Sequence, residues 1–583
     1  MSNEQEKVIE LSKRRGFFSQ TAESYGGVAG FQTFGPEGAE LKRNIENSWR
    51  EKFSESLGNR EIEAPTIMPE AVFEASGHLD TFDDMIIRCP ECGESSRADH
   101  IVEDNTEIEE AEGLPIEKIE KLFQEHDLKC PECNESLAGE KVEDFHLMFE
   151  TTIGPDTGNN GYLRPETAQG IFVEFPRFKE YMRNQLPFGI TQIGKSYRNE
   201  ISPRNGLVRV RELTQAELEH FIDPEEDEPS LKEVEDVELK LYSREDQSKE
   251  NGEVVKMSVR ESIEEDVIES EWIAYFLGLA TEWYRSIGVD MERFRYRQHQ
   301  NDELSHYASD CWDAEADTSG ENEEEDWIEI TGFAYRGCYD LKKHHEHSDK
   351  DYTIFKEYEE PVEEEVTEAS PDMGFLGPEY GDEAGKIAEE IKAKAEDNPE
   401  AFNEETISVN VDGSEYEIPL EKCGFEKKTV TKNGEHILPH VVEPSFGIDR
   451  MVYTVLTHSY DEDEINDETR RVMRFKEEVA PTEVAVFPLM DKDNLSEKAE
   501  KLADDLRSTG FSVRFDSTGN IGKRYRRQDE VGTPYCVTVD YETKEEDTVT
   551  IRERDTTEQI RVSLDELSDV LEGLLSGDSL EDY

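Results

Sequence analysis

The sequence predicts an α+β chain in two parts: a large mixed domain over residues 1–478 and a smaller α/β domain over 479–583. Three observations carry this. The stretch from Arg198 to Glu212 combines an Arg-x-Glu, a turn holding Pro203 and Gly206, and a strand-like Val208-Arg209-Val210-Arg211-Glu212. Two Cys-Pro-Glu-Cys pairs, Cys89/Cys92 and Cys130/Cys133, punctuate the N-terminal part. Beyond Val479-Ala480-Pro481, strands alternate with helices, the pattern of a compact α/β domain.

In chain order, Leu41, Ile45, Trp49, Phe53 and Leu57 recur every four residues after Gly35-Pro36-Glu37-Gly38, which predicts an amphipathic helix. Residues 61–65 then read as a strand leading into Thr66-Ile67-Met68-Pro69. Three acidic stretches follow at 101–129, 224–268 and 350–425, expected as insertions into the sheet of the large domain. In the last part, residues 484–489 read as a buried strand. Leu495, Leu502 and Leu506 mark a helix stopping at Gly510, and residues 511–515 and 535–539 read as strands.

A strand alternates its faces, so Val208 and Val210 point one way and Arg209 and Arg211 the other. If that strand continues, Leu213, Gln215, Glu217 and Glu219 share the arginine face. Cations and carboxylates then line one wall, suited to a polyphosphate with an ammonium-bearing substrate. For a polyphosphate reacting on such a wall, the work is positioning and charge stabilisation more than proton transfer. Arginine is the expected tool, because its planar fork grips phosphate oxygens with paired hydrogen bonds.

The charge is extreme: 140 acidic against 64 basic residues, net −76. A disordered acidic chain is one reading. Against it stand 5 Trp, 21 Tyr and 27 Phe spread over long periodic segments. The other reading is a folded protein made for concentrated salt, where at 1 M the Debye length falls to about 3 Å and surface repulsion is screened. The composition resembles that of haloarchaeal proteins. The polar start has no apolar signal core, and no run of about 18 apolar residues is present to span a membrane.

Eight cysteines are too few for a disulfide scaffold and point to a reducing cytoplasm. The two pairs look like the knuckles of a zinc ribbon, four thiolates suiting structural Zn²⁺. Residues 93–129 separate them, longer than the usual gap of about 15–20. Degenerate, metal-free cysteines are the alternative. Cys311, Cys338, Cys423 and Cys536 are expected as small buried hydrophobes, and His344, His345 and His347 as a solvated polar face rather than a metal cluster.

The segment at 198–212 resembles motif 2 of the class II aminoacyl-tRNA synthetases. Glu443-Pro444-Ser445-Phe446-Gly447-Ile448-Asp449-Arg450 resembles motif 3, and the helix and strand over 36–69 resemble motif 1. With Gly161-Tyr162-Leu163-Arg164-Pro165-Glu166-Thr167-Ala168-Gln169-Gly170, Ser76-Gly77-His78 and Trp327-Ile328-Glu329-Ile330, these are similar to the dimeric, archaeal and eukaryotic glycyl-tRNA synthetases. The resemblance implies an antiparallel-sheet catalytic domain with a zinc-ribbon insertion and acidic insertions, and a C-terminal anticodon-binding domain.

It also implies activation of glycine by ATP with Mg²⁺, transfer to the 3′-terminal adenosine of tRNA(Gly), and a homodimer. Arg198 takes the α-phosphate and Arg450 the γ-phosphate. Asn199, Glu200, Val208, Arg209, Val210, Arg211, Glu212, Leu213, Glu329, Ile330, Gly447, Ile448 and Asp449 complete the ATP site. Glu166, Glu217 and Glu443 take the glycine ammonium, Arg97 of Arg97-Ala98-Asp99-His100 reaches its carboxylate, and Ser445 faces its α-carbon. Leu213, Thr214, Gln215, Ala216, Pro444, Phe446 and Gly447 fill out that pocket.

Basic islands are rare in this acidic chain. Lys523, Arg524, Arg526 and Arg527 form one inside the domain similar to an anticodon reader, and Arg470, Arg471, Arg474 and Lys476 form another before it. These are candidate tRNA contacts; the alternative is that they balance nearby acids. Two other functions stay open on the sequence: a non-enzymatic relative, such as the accessory subunit of the mitochondrial DNA polymerase, and a class II synthetase for threonine or proline.

Overall fold

A nine-stranded sheet organises most of the chain. In the computed structural model its strands are β1 (Arg60–Glu61), β2 (Phe188–Tyr197), β3 (Glu212–Ile222), β4 (Glu238–Tyr242), β5 (Val255–Ser258), β6 (Phe294–Gln298), β7 (Asp310–Asp317), β8 (Trp327–Gly337) and β9 (His440–Gly447). Their spatial order is β5-β4-β6-β7-β8-β9-β3-β2-β1. Pairing is antiparallel except between β4 and β6 and between β2 and β1. The structure describes residues 3–583 apart from 107, 109, 110, 112, 156, 157, 204, 205, 250, 251, 302, 304–308, 321, 322, 324, 404, 412, 466 and 467. Parts of the 101–129 stretch, and the turn between Pro203 and Gly206, therefore lie outside the described residues.

One face of the sheet is covered by helices α1 (Pro36–Trp49), α2 (Glu271–Ile287) and α3 (Ile448–Ser459). The four-residue spacing of Leu41, Ile45, Trp49 and Phe53 puts all four on one side, and all are fully buried. Phe446 from β9 meets Phe53 at 4.7 Å and Trp283 at 5.4 Å between ring centroids. Each such ring contributes roughly 1.5–3 kcal/mol by burial. Because helices take this face, the other is free to carry charge.

The 224–268 stretch is not an appended insertion. It supplies edge strands β4 and β5, and Val234, Leu239, Leu241, Val259 and Ile268 join the main core. Its acids occupy the outward side of segments whose inward side is apolar. The cysteine-bearing insertion has a core of its own. Strands Asp83–Arg88, Ser95–Arg97 and Val142–His146 pack with helices Ala98–Asn105 and Ile116–Glu125 around Ile87, Val102, Ile119 and Phe123.

The C-terminal domain is a five-stranded sheet, β10 (Val484–Pro488), β11 (Val513–Phe515), β12 (Tyr535–Val539), β13 (Thr548–Glu553) and β14 (Gln559–Ser563), in the order β11-β10-β12-β13-β14. Helices α4 (Leu495–Ser508), α5 (Ile521–Val531) and α6 (Leu567–Leu575) accompany it. The expected boundary at 479–481 is no exposed linker. Val479 and Ala480 are buried, and Asn44 donates to the Ala480 carbonyl at 2.9 Å.

The chain divides into two compact units, Met1–Tyr352 with Pro439–Tyr583, and Thr353–Leu438. That unit runs past the expected end at 425 because strand Phe425–Ile437 pairs back along Ile354–Ala369, Ile354 opposite Ile437. Its core gathers Ile387 and Ile391 of helix Ala384–Asp397 with Ile407, Val409 and Ile418 of a short hairpin.

Candidate active site

The charged face of the central strands bears a cavity. Arg198, Glu200, Val208, Arg209, Val210, Leu213, Glu329, Ile330, Gly447, Asp449 and Arg450 line it, together with Leu207, Thr214, Gln215 and Ser445. Arg450 lies in the first turn of α3. Its Nε donates to the Val208 carbonyl at 3.0 Å, and its Nη1 donates to the Glu329 backbone and carboxylate at 2.8 and 2.9 Å. One arginine thus ties the motif 2 segment, β8 and the α3 N-terminus into a single wall. Arg209 pairs with Glu200 at 3.5 Å. Arg198 donates to the Pro165 carbonyl at 3.3 Å and lies 5.6 Å from the Phe82 ring.

The strand from 208 onward is not continuous. Residues 206–208 form a turn and β3 begins at Glu212, so parity does not carry from Arg209 to Glu217. Arg211 leaves the cavity: its guanidinium donates to the Glu200 and Ala29 carbonyls, which makes it a brace for the turn. Asn199 donates its amide to the Leu147 carbonyl, Glu212 pairs with Lys195 on β2 at 3.4 Å, and the Ile448 side chain is buried in the core. None of these three lines the cavity.

Beyond Gln215, β3 keeps its period and Glu217 and Glu219 face the same side. Glu217 is 1% exposed. It accepts from Ser445 Oγ at 2.6 Å, from Gln215 Nε2 at 3.0 Å and from the Thr167 hydroxyl. Ser445 stands opposite Glu217 on β3 and opposite Gly332 on β8. Glu166 lies 3.6 Å from His78 Nε2 and 3.9 Å from Arg336. Glu443 accepts from Arg336 Nη1 at 2.8 Å. The three glutamates expected from the sequence therefore meet beside the cavity, and Arg336 is the cation between them.

Arg336, with Asp340 held at 2.8 and 3.1 Å, was invisible in the sequence. Glu219, placed on the arginine face by alternation but given no role, is fully buried with neither carboxylate oxygen hydrogen-bonded. Burial pushes the carboxyls of Glu217, Glu219 and Glu443 upward, strongly for Glu219. For Glu443 burial and the charges of Glu217 and Glu166 outweigh Arg336 and raise it to about 8. Glu166 moves the other way: burial opposes ionisation, but His78 and Arg336 hold it well below the usual carboxylate range.

Alternation removes other residues from the glycine pocket. Ala216, Pro444 and Phe446 point to the opposite face, Ala216 and Phe446 packing with the α1–α2 aromatics. Arg97, expected at the glycine carboxylate, acts electrostatically on Arg209 of the cavity wall. It is 8% exposed and held by Asp84 at 3.0 Å and by Asp99, on the wall of a neighbouring cavity.

The four paired cysteines converge. Cys89 Sγ is 3.5 Å from Cys133 Sγ, Cys92 Sγ is 3.7 Å from Cys130 Sγ, and all four lie within 4.8 Å of one another. A disulfide needs about 2.05 Å. A tetrahedron with Zn–S near 2.3 Å needs sulfurs about 3.8 Å apart, which these distances fit. The two knuckles repeat one backbone turn: Gly93 and Asn134, both at positive φ, donate to the Cys89 and Cys130 carbonyls. Cys423 and Cys536 are buried, whereas Cys311 and Cys338 are only half-buried, contrary to the expectation from sequence. His344 is also buried, within 3.1 Å of Gln169 beneath Glu166.

The basic islands are mostly occupied. Arg524 is 1% exposed, and its guanidinium donates to the carbonyls of Pro488, Ser517 and Gly519. Arg527 is held by Asp516 at 2.5 Å, and Arg526 lies 3.9 Å from Glu468. Arg470 is buried against Asp463 and Asp529, while Arg471 and Arg474 pair with acids of the same hairpin. Lys523 is exposed. No helix among the described residues is long and apolar enough to cross a membrane.

Residues 148–459 match the class II tRNA synthetase core domain (G, H, P, S and T), and residues 483–574 match the anticodon binding domain. The chain is 48% identical over 575 residues to the glycine–tRNA ligase of Methanothrix thermoacetophila, covering 98% of this chain and 97% of the relative. It is 42% identical over 576 residues to the glycine–tRNA ligase of Methanocaldococcus jannaschii, covering 97% and 98%. A crystal structure of prolyl-tRNA synthetase from Cryptosporidium parvum complexed with L-proline and AMP shares the fold alone, with a TM-score of 0.50 at 10% identity over 98% of this chain and 77% of that one. A class II core spanning more than half the sequence, and near-full-length identity above 40%, lead to one conclusion: the chain belongs to the archaeal-type glycine–tRNA ligases of class II.

Proposed function

We propose that the protein joins glycine to tRNA(Gly) in two steps. A glycine carboxylate oxygen attacks the α-phosphorus of ATP, and the bond to pyrophosphate breaks. The terminal ribose 3′-hydroxyl of the tRNA then attacks the carbonyl carbon of glycyl-adenylate, and AMP leaves. The observation that carries the reading is the convergence of Arg198, Arg209 and Arg450 on one cavity whose floor passes into Glu217 and Ser445.

Arg198 is assigned to the α-phosphate, where charge develops during attack. Arg450 and Arg209 are assigned to the outer phosphates and the nucleotide. Glu200 and Glu329 would hold Mg²⁺, which neutralises phosphate charge when bound. Glu217, Glu166 and Glu443 are assigned to the glycine ammonium. Ser445, its hydroxyl fixed on Glu217, stands where a larger amino acid would project a Cβ. A pocket of this kind rejects an extra methylene by only about 1–3 kcal/mol, so the fixed hydroxyl and paired carboxylates must be rigid to exclude alanine.

The decisive experiment is ATP–pyrophosphate exchange in concentrated KCl with glycine, alanine, serine, threonine or proline. Exchange with glycine alone, abolished in E217A, is the expected result. Absence of exchange with every amino acid defeats the proposal.

Four further assignments belong to this reading. The cysteine tetrahedron holds structural Zn²⁺, supported by its sulfur spacing. The enzyme acts as a homodimer through the motif 1 region, supported by Ile67, which is 47% exposed on a strand paired only on one side. It works in the salt-rich cytoplasm of a halophile, supported by a net charge of −76. Lys523 and the outer edge of α5 meet the tRNA, supported by exposure of that lysine.

A further inference from the structure

A second metal-ligating group lies on the open face of the same sheet, clear of the cysteine tetrahedron. His299 follows the end of β6, and its amide donates to the Cys311 carbonyl on β7 at 3.0 Å. That bond sets His299 opposite Cys311. Asp313 is two residues further along β7, so its side chain leaves the same face as the Cys311 thiol. Strand geometry thus delivers a nitrogen, a sulfur and an oxygen ligand to one point. A ring nitrogen of His299, Cys311 Sγ and an Asp313 carboxylate oxygen all lie within 4.8 Å of one another.

The surroundings are those of a cation site. Asp313 and Glu329 converge over Gly332, where an added Cβ would lie 3.7 Å from one carboxylate and 3.9 Å from the other. The nearby cations are already engaged: Arg295 pairs with Glu315 at 2.7 Å and stacks 4.1 Å from Trp327, and Arg297 pairs with Glu303 at 2.5 Å. His299 Nε2 sits 2.8 Å from Asp313, and Nδ1 is buried without completing a hydrogen bond. Side-chain exposures of 23% for His299 and 13% for Asp313 leave a path for an ion.

We propose that His299, Cys311 and Asp313 bind a divalent transition metal of the zinc type, with a fourth position open. A mixed nitrogen, sulfur and oxygen set favours zinc or cobalt, and the thiolate disfavours magnesium and calcium, which take oxygen ligands.

The test is metal stoichiometry on the full-length chain. Wild-type, D313N and C311S proteins are stripped with chelator, loaded with Co²⁺ and desalted. Each variant is expected to hold one equivalent less than wild type, whatever the total, and C311S to lose only the single-thiolate part of the sulfur-to-cobalt absorption. Equal stoichiometry in all three overturns the proposal. A readout on wild type alone guards against misfolded variants: alkylation of Cys311, followed by peptide mapping, should slow several-fold when Zn²⁺ is added and not when Mg²⁺ is added. Equal alkylation rates with and without Zn²⁺ overturn it as well.

Discussion

Glu443 and Glu219 make the proposed glycine pocket pH-dependent. In an unfolded chain a glutamate titrates near 4.5; in the folded protein Glu443 holds its proton to about 8. Between those values the native state binds a proton that the unfolded state does not, so stability falls as pH rises through that window. An ammonium ligand needs the ionised form, so the glycine KM should fall as pH climbs toward 8. E443Q, neutral throughout, should raise the glycine KM and flatten both profiles, as read by thermal melts and exchange kinetics from pH 5 to 9. An unchanged KM profile in E443Q would remove Glu443 from ammonium binding. Glu217 and Glu443 were readable from the motifs around them. Arg336 was not, because a buried arginine that neutralises acids from β9 and helix Tyr339–His347 has no local pattern that marks it out.

At the scale of elements, the helix of Leu41 to Phe53 and the β10–α4–β11 succession were legible because their periods are long and their apolar faces unbroken. The motif 2 strand was misjudged, because the turn before β3 breaks the alternation that sequence alone cannot stop. The resemblance put Ala216, Pro444 and Phe446 in the pocket, and the alternation of β3 and β9 turns them to the other face. The basic run of α5 shows the matching failure for function: charge in a sequence does not reveal which arginine turns inward. R524A leaves three backbone carbonyls without their donor and should cost about 1–3 kcal/mol in the stability of the C-terminal domain. K523A should leave melting unchanged and weaken tRNA binding, with a shallower dependence on salt. Calorimetry and filter binding on the two variants separate these roles; reversed outcomes would move Arg524 to the RNA surface.

Across the whole molecule, the net charge of −76 predicts that self-repulsion sets the response to salt. With −76 spread over 583 residues, dilution of salt lengthens the range over which surface acids repel one another, while the core is unchanged. Unfolding by urea measured from 0.2 to 3 M KCl should show a midpoint that climbs steeply with salt. A midpoint indifferent to KCl would mean that the acids are compensated locally and that the charge is no adaptation. Composition alone motivates this expectation. The division of the chain into two units was half readable: acid content flagged 350–425, but only the pairing of Ile354 with Ile437 shows where the unit closes.

The place of β9 in the sheet has a consequence in time. It is the last strand of the nine to be made, yet it lies between β8 and β3 and joins two otherwise separate halves. The β2–β3 hairpin must wait with an open edge from Ile222 until His440 emerges, about 218 residues later and roughly 10–45 s at ordinary rates of synthesis. The Thr353–Leu438 unit sits within that interval and lengthens it. During the wait the unpaired edge of β3 is the segment of the nascent chain most in need of protection from pairing with a stranger.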